Sequence, residues 1–218
     1  MIKFDIVDKT IGLCTKRGSG KSQMLHYIIE VNKHLFKRVF IICPTEKINK
    51  FYEDIIPKEN IFDSYSEKWV ENLIKLLTKH NENKTKHNAD RVLLILDDCC
   101  SDTNFHQSKS LKTIFCRGRH FFLTLILTSQ YLFGGSGIPP VCRNNLDFLL
   151  VNKINGQSLE SLTKEFRNGN ISKEAFIKMY NNSTGNYGFL LINNVSSEGN
   201  DDLDSIYGII RVPKHYIK

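Results

Sequence analysis

A layered α/β fold with a mainly parallel sheet is what this sequence predicts, and three observations predict it. Short apolar runs rich in β-branched residues recur along the chain; segments of helical periodicity stand between them; and two of the runs end in polar residues foreign to a core. The 218 residues suit one large α/β domain over 1–218, and 41% hydrophobic with 24% charged residues is ordinary globular composition.

The first element is the apolar stretch Ile11-Gly-Leu-Cys14, a short buried strand. After it come Thr15-Lys-Arg-Gly-Ser-Gly-Lys-Ser22 and a helix with Met24, Leu25, Ile28, Ile29 and Leu35 on one face. Strand, glycine-rich turn and helix make a phosphate-binding loop. Gly18 and Gly20 allow a tight turn that aims the N–H groups of Lys16, Arg17 and Ser19 inward, and the helix N-terminus adds donors. Lys21 supplies a mobile charge for the β- and γ-phosphates, and Ser22 a hydroxyl for Mg²⁺. Thr15 stands where the usual pattern has its first glycine, so the loop must be entered with ordinary dihedrals.

Arg38-Val-Phe-Ile-Ile-Cys43, stopped by Pro44, reads as a parallel strand buried on both faces. Residues 51–62 read as an irregular connection broken by Pro57. Trp69, Val70, Leu73, Ile74 and Leu77 predict an amphipathic helix over Glu67 to Lys79. The Lys-, Asn- and His-rich stretch from Lys79 to Asp90 lacks periodicity and reads as an exposed loop or flexible insertion, with nucleic-acid phosphates as its sharper alternative use.

Val92-Leu-Leu-Ile-Leu96 then runs directly into Asp97-Asp98. A purely apolar strand delivering two acids at its carboxyl end is what a Walker B site requires: Asp97 to hold Mg²⁺ through water, Asp98 to orient or deprotonate the attacking water. Ser110 to Gly118 predicts a helix followed by Arg119 and His120. Phe121 to Ser129 predicts another buried strand, and Gln130 at its end is placed to sense the γ-phosphate or hold the attacking water. Together the loop and the Asp pair predict a three-layer P-loop NTPase of the additional-strand (ASCE) type, with the Gln130 strand between the phosphate-loop strand and the Asp97 strand.

Gly134 to Pro140 is loop-like and leads to Arg143; Phe148 to Val151 is a strand; Leu159 to Phe166 and Lys173 to Tyr180 are helical. Tyr187 to Ile192 and Tyr207 to Val212 predict a C-terminal antiparallel pair joined by a polar loop. Asn152-Lys-Ile-Asn155 is similar to the guanine-reading N-K-x-D element. Asn155 replaces its aspartate, however, and Asp-Asp-Cys-Cys stands where a GTPase would have D-x-x-G, so the nucleotide expected is ATP.

Cys14, Cys43, Cys99, Cys100, Cys116 and Cys142 mostly sit in or beside apolar runs without C-x-x-C spacing, and read as core residues of a reducing compartment. No segment approaches the roughly 20 apolar residues that span a bilayer, so neither membrane insertion nor secretion is expected. The net charge of +7 favours a polyanionic partner.

The Asp-Asp Walker B, and Arg117-Gly-Arg-His120 opening a strand that ends in Gln130, carry a resemblance over nearly the whole chain. The sequence resembles the viral genome-packaging ATPases of the FtsK/HerA superfamily, found in poxviruses, other large double-stranded DNA viruses, virophages and some archaeal viruses. The resemblance implies ATP and Mg²⁺ as cofactors and a homo-oligomeric ring, usually a hexamer, that pulls double-stranded DNA into a preformed capsid docked through a capsid or portal-vertex protein. It implies catalytic roles for Asp98 and Gln130, with Arg119 and Arg143 at positions near the subunit interface, both following elements expected to point to the active edge. It further implies work in the host cytoplasm, in a viral factory, or with the virion. A helicase or translocase of the same superfamily, or a non-hydrolysing particle component, remain the alternatives.

Overall fold

The structure, a computed structural model, describes residues 4–195 and 202–217. Eight strands form one sheet: β1 Thr10–Thr15, β2 Arg38–Ile42, β3 Ile61–Phe62, β4 Val92–Leu96, β5 Leu123–Ser129, β6 Phe148–Asn152, β7 Gly188–Asn193 and β8 Tyr207–Arg211, in the order β3-β2-β4-β5-β1-β6-β7-β8. All pairings among β1 to β6 are parallel, whereas β6–β7 and β7–β8 are antiparallel. As the sequence predicts, β5 lies between β1 and β4.

Alternation along each strand sends side chains into two apolar layers. Leu93 and Ile95 of β4 join Ile11 and Leu13 of β1 on the face covered by helix α1 (Lys21–Asn32). Leu94 and Leu96 enter the opposite layer, under α2 (Glu67–Asn81), α3 (Lys109–Arg117), α4 (Gly156–Phe166) and α5 (Lys173–Ser183). Both layers are dry, with Leu93, Leu94, Ile95 and Leu96 all at 0% exposure, and each such side chain contributes about 1.5–3 kcal/mol. This burial on both faces fixes β4 rigidly and so fixes whatever follows it.

Several boundaries differ from expectation for local reasons. Leu35 leaves the α1 face, because the helix ends at Asn32 and a 3₁₀ turn over Lys33–Leu35 exposes it. Phe121 belongs to a 3₁₀ turn and Phe122 takes a left-handed φ of 55°, so β5 starts only at Leu123. Tyr187, also left-handed with a φ of 57°, ends a turn rather than opening β7. The stretch after α2 is no loose insertion: Asn81 and Asp90 exchange hydrogen bonds, and Lys37, His80 and Lys84 all converge on the Asp90 carboxylate. Part of the polar loop expected between the last two strands, residues 196–201, lies outside the described residues.

Candidate active site

Among the described residues, four of the five helices α1 to α5 are capped by the side chain that precedes them. Ser66, Ser108, Asn155 and Ser172 each accept a backbone N–H at the starts of α2, α3, α4 and α5. Helix α1 has no such cap and no acidic residue in its first turn. Its free N–H groups and the positive end of its dipole are therefore left for an anion. The cap on α4 also removes the guanine-reading alternative, since the Asn155 side chain is committed to the N–H of Ser158 at 2.7 Å.

The loop entering α1 has the conformation its glycines allow. Thr15 completes β1 in ordinary extended geometry and is fully buried, while Gly18 (φ 72°) and Gly20 (φ 93°) turn left-handed. At Gly20 a second constraint applies: an added Cβ would lie 2.6 Å from Cδ1 of Tyr187. The end of β6 braces the loop from below. Asn152 Nδ2 donates to the Ser19 carbonyl at 2.9 Å, and the Lys16 N–H to the Lys153 carbonyl at 3.3 Å.

Above the loop lies a cleft of about 570 Å³, lined on one side by Lys16, Arg17, Gly18, Gly20, Lys21 and Ser22 and on the other by Asp97, Asp98 and Gln130; Thr45 and Tyr187 complete its rim. The parallel strands β1, β4 and β5 end together at this edge, which is how Lys21, Asp97 and Gln130, far apart in sequence, come to line one cleft.

Lys21 is the electrostatic centre. Its Nζ contacts both acids, at 3.2 Å from Asp97 Oδ1 and in close contact with Asp98 Oδ2, yet it is buried without an aligned hydrogen bond. Burial works against the ammonium charge, but Asp97 and then Asp98 outweigh it and hold the pKa above the ordinary lysine value.

The two acids are held differently. Asp97 is 4% exposed and gripped at both oxygens: the Thr128 hydroxyl donates to Oδ1 at 2.6 Å, the Tyr52 hydroxyl to Oδ2 at 2.8 Å. The same Thr128 hydroxyl accepts the Asp98 N–H at 3.1 Å, fixing the left-handed turn (φ 55°) that swings Asp98 outward. The Asp98 side chain keeps 26% exposure. One acid is thus immobilised and the other remains reachable from the cleft.

The two arginines lie elsewhere. Arg143 is spent within its own chain: Nε and Nη2 pair with Glu165 at 2.7 and 3.2 Å, Nη1 donates to the Ile138 carbonyl at 2.7 Å, and the guanidinium sits 4.6 Å from the Phe133 ring centroid. The expectation that Arg119 follows an element aimed at the active edge is corrected, because α3 leads back to the opposite edge, where β5 begins. Arg119 is exposed there, a whole strand away from its own phosphate loop.

Sequence reasoning missed Tyr52, Thr128, Asn152 and Tyr187 as site residues. Thr128 and Asn152 had a signal, being polar residues near the ends of otherwise apolar strands. Tyr52, in an irregular connection, had none.

Residues 6–203 match the family described as Poxvirus A32 protein. The uncharacterized protein 075L of Invertebrate iridescent virus 6 is 30% identical over 194 residues, which cover 88% of this chain and 73% of its own. Among solved structures, the genome packaging NTPase B204 from Sulfolobus turreted icosahedral virus 2 in complex with AMPPCP is similar, with a TM-score of 0.64 at 20% identity over 94% of this chain and 98% of that one. The pCW3 conjugation coupling protein TcpA, in a monomer form with ATPgS, gives 0.61 at 14% identity over 86% and 58%. At such identities the structural likeness establishes a shared fold.

Proposed function

The chain belongs to the Poxvirus A32 protein family, and from that membership and its site we propose that it is an ATP-hydrolysing motor that moves double-stranded viral DNA into a preformed capsid. The observation that carries this reading is the buried Lys21 ammonium held between Asp97 and Asp98 beside an uncapped helix N-terminus.

The residues fit both ATP and Mg²⁺. The loop N–H groups and Lys21 would take the phosphates, and Ser22 with Asp97 would hold the metal. Asp97 would do so through water, since Thr128 and Tyr52 already occupy its oxygens. Mg²⁺, when bound, supplies positive charge to the phosphate oxygens. Asp98, the reachable acid, orients or deprotonates the attacking water, and Gln130 reads the γ-phosphate from the end of β5.

We place this single ATPase domain in a homo-oligomeric ring, a hexamer by resemblance, docked on a capsid or portal-vertex protein in the host cytoplasm or with the virion. Because Arg143 is committed within its own chain, the role across the subunit boundary falls to Arg119. Seven residues of β5 at about 3.3 Å each separate it from its own cleft, so it serves only a neighbour's. A translocase not dedicated to packaging remains the alternative, since the fold alone is also that of the conjugation coupling protein TcpA; family membership favours packaging.

The test is ATP turnover with and without linear duplex DNA on protein of measured oligomeric state. Stimulation by DNA in the ring-sized assembly is expected. Equal turnover with and without DNA in that assembly would remove translocation from the account.

A further inference from the structure

The chain's net charge of +7 is not spread over its surface. Three segments, 33–38, 79–91 and 117–120, hold nine Lys and Arg residues against Glu82 and Asp90 alone, so they account for all of the net charge while the remaining residues balance. They also carry four of the seven histidines: His34, His80, His87 and His120.

The topology brings these segments together. They precede β2, β4 and β5, three neighbours in the sheet, at the edge opposite the cleft. Backbone hydrogen bonds tie them into one surface: the Lys37 N–H donates to the Arg91 carbonyl at 2.9 Å, and the Val92 N–H to the Phe122 carbonyl at 3.2 Å. Acids neutralise it only in part: from outside the three segments Asp8 pairs with Arg91 at 3.3 Å and Glu30 with Lys33 at 3.1 Å. Asp90 is shared by Lys37, His80 and Lys84, so it orders a cluster of cations rather than cancelling it. Arg38, Lys79, Lys86 and Arg117 are all exposed.

We propose that this edge is the face that grips the phosphate backbone of duplex DNA, an inference that rests on the motor reading above. Three strands at about 4.8 Å spacing spread the cations over roughly 10 Å, comparable with the major-groove width of about 12 Å, so one protomer meets phosphates on both sides of a groove. Among the described residues Leu35 is the one exposed large apolar side chain in these three segments, which suits contact mainly with backbone. Its placement gives the motor a mechanical link: β4 starts at the basic edge and ends at Asp97, and β5 starts there and ends beside Gln130. Two strands buried on both faces therefore join DNA contact to hydrolysis with no flexible segment between. Arg119 lies at the β5 flank of this edge, consistent with a ring whose neighbour begins there.

The test compares the parent with Arg38→Gln, Lys79→Gln, Lys86→Gln, Arg117→Gln combined, and with a control carrying Lys50→Gln, Lys68→Gln, Lys75→Gln, Lys178→Gln, exposed lysines off the edge. Binding of a fluorescent duplex is measured by anisotropy over a salt series, with basal ATP turnover without DNA as the folding check. We expect the edge variant to keep basal turnover, to bind duplex at least tenfold more weakly at low salt, and to lose about 3 to 4 from the slope of log affinity against log salt, one counterion for each phosphate contact. The control should lose much less. Edge and control variants with the same slope would overturn the proposal while leaving the motor reading intact. Loss of binding to anionic phospholipid vesicles with duplex binding unchanged would overturn it in favour of a membrane contact. A parent that binds no duplex would overturn both.

Discussion

Tyr52 and Asp97, 45 positions apart in sequence, are joined by a buried 2.8 Å hydrogen bond from phenol to carboxylate. Burial, and then the Asp97 charge, raise the Tyr52 pKa well above its ordinary value, so at working pH the phenol keeps the proton it donates to Asp97. Its partner oxygen could otherwise rotate toward Lys21. Tyr52 is thus a positioning residue for the acid assigned to the metal.

Tyr52→Phe removes that donor and little volume. A hydrogen bond to a charged group is worth about 1.5–3 kcal/mol, and we expect a stability loss within that range in urea unfolding. Turnover should fall more than ATP affinity, because the phosphate contacts are untouched. An unchanged kcat would show that Thr128 alone is sufficient to hold Asp97.

Arg143 and Arg119 should behave as different kinds of residue. Arg143→Ala cuts two carboxylate contacts, a half-buried carbonyl bond and an aromatic contact, together about 2 kcal/mol after allowing for the partial exposure of Glu165. Arg119→Ala should leave thermal stability unchanged and lower turnover. Mixing Arg119→Ala with Lys21→Ala subunits should then restore some turnover, at interfaces pairing an intact arginine with an intact loop. Rings shown to be mixed that regain nothing would deny Arg119 a role across the interface.

The cysteines give a pH-linked check. Burial pushes the thiol pKa values of Cys14 and Cys100 up to about 12 and that of Cys43 to about 11, and all three remain protonated and unreactive at about pH 8. Cys99 and Cys142 are buried as well, while Cys116 is exposed. Iodoacetamide should therefore add one group per native chain at that pH, and six after denaturation. Rapid double labelling of the native protein at Cys99 and Cys100 would expose that pair as a reactive site.

What the sequence made legible was whatever depends on residue type within one element. The phosphate loop, the β4–Asp97–Asp98 junction and the β5–Gln130 junction each carry their chemistry in a few consecutive residues, and those residues do line one cleft. The resemblance to viral genome-packaging ATPases is borne out by the family match and the shared fold. What pattern could not show is how distant segments meet. Nothing in Phe51-Tyr52 indicates a bond to Asp97, and nothing in Gly185 to Gly188 indicates that Tyr187 packs on Gly20. Arg119 lies at the edge opposite the expected one because the direction of α3 follows from where its helix docks rather than from its periodicity. The stretch after α2 read as loose because its order comes from Asp90, a single acid serving three cations.

The central claim is that Lys21 binds ATP whereas Asp98 acts on the water that attacks it. Its most direct test is one assay that follows radiolabelled ATP from binding to product on the parent, Lys21→Ala and Asp98→Asn. Lys21→Ala should fail to retain nucleotide, since the phosphate charge is then unmatched. Asp98→Asn should hold ATP with Mg²⁺ as well as the parent does and release product slowly. Equal loss of nucleotide by both variants, or undiminished hydrolysis by Asp98→Asn, would contradict the account.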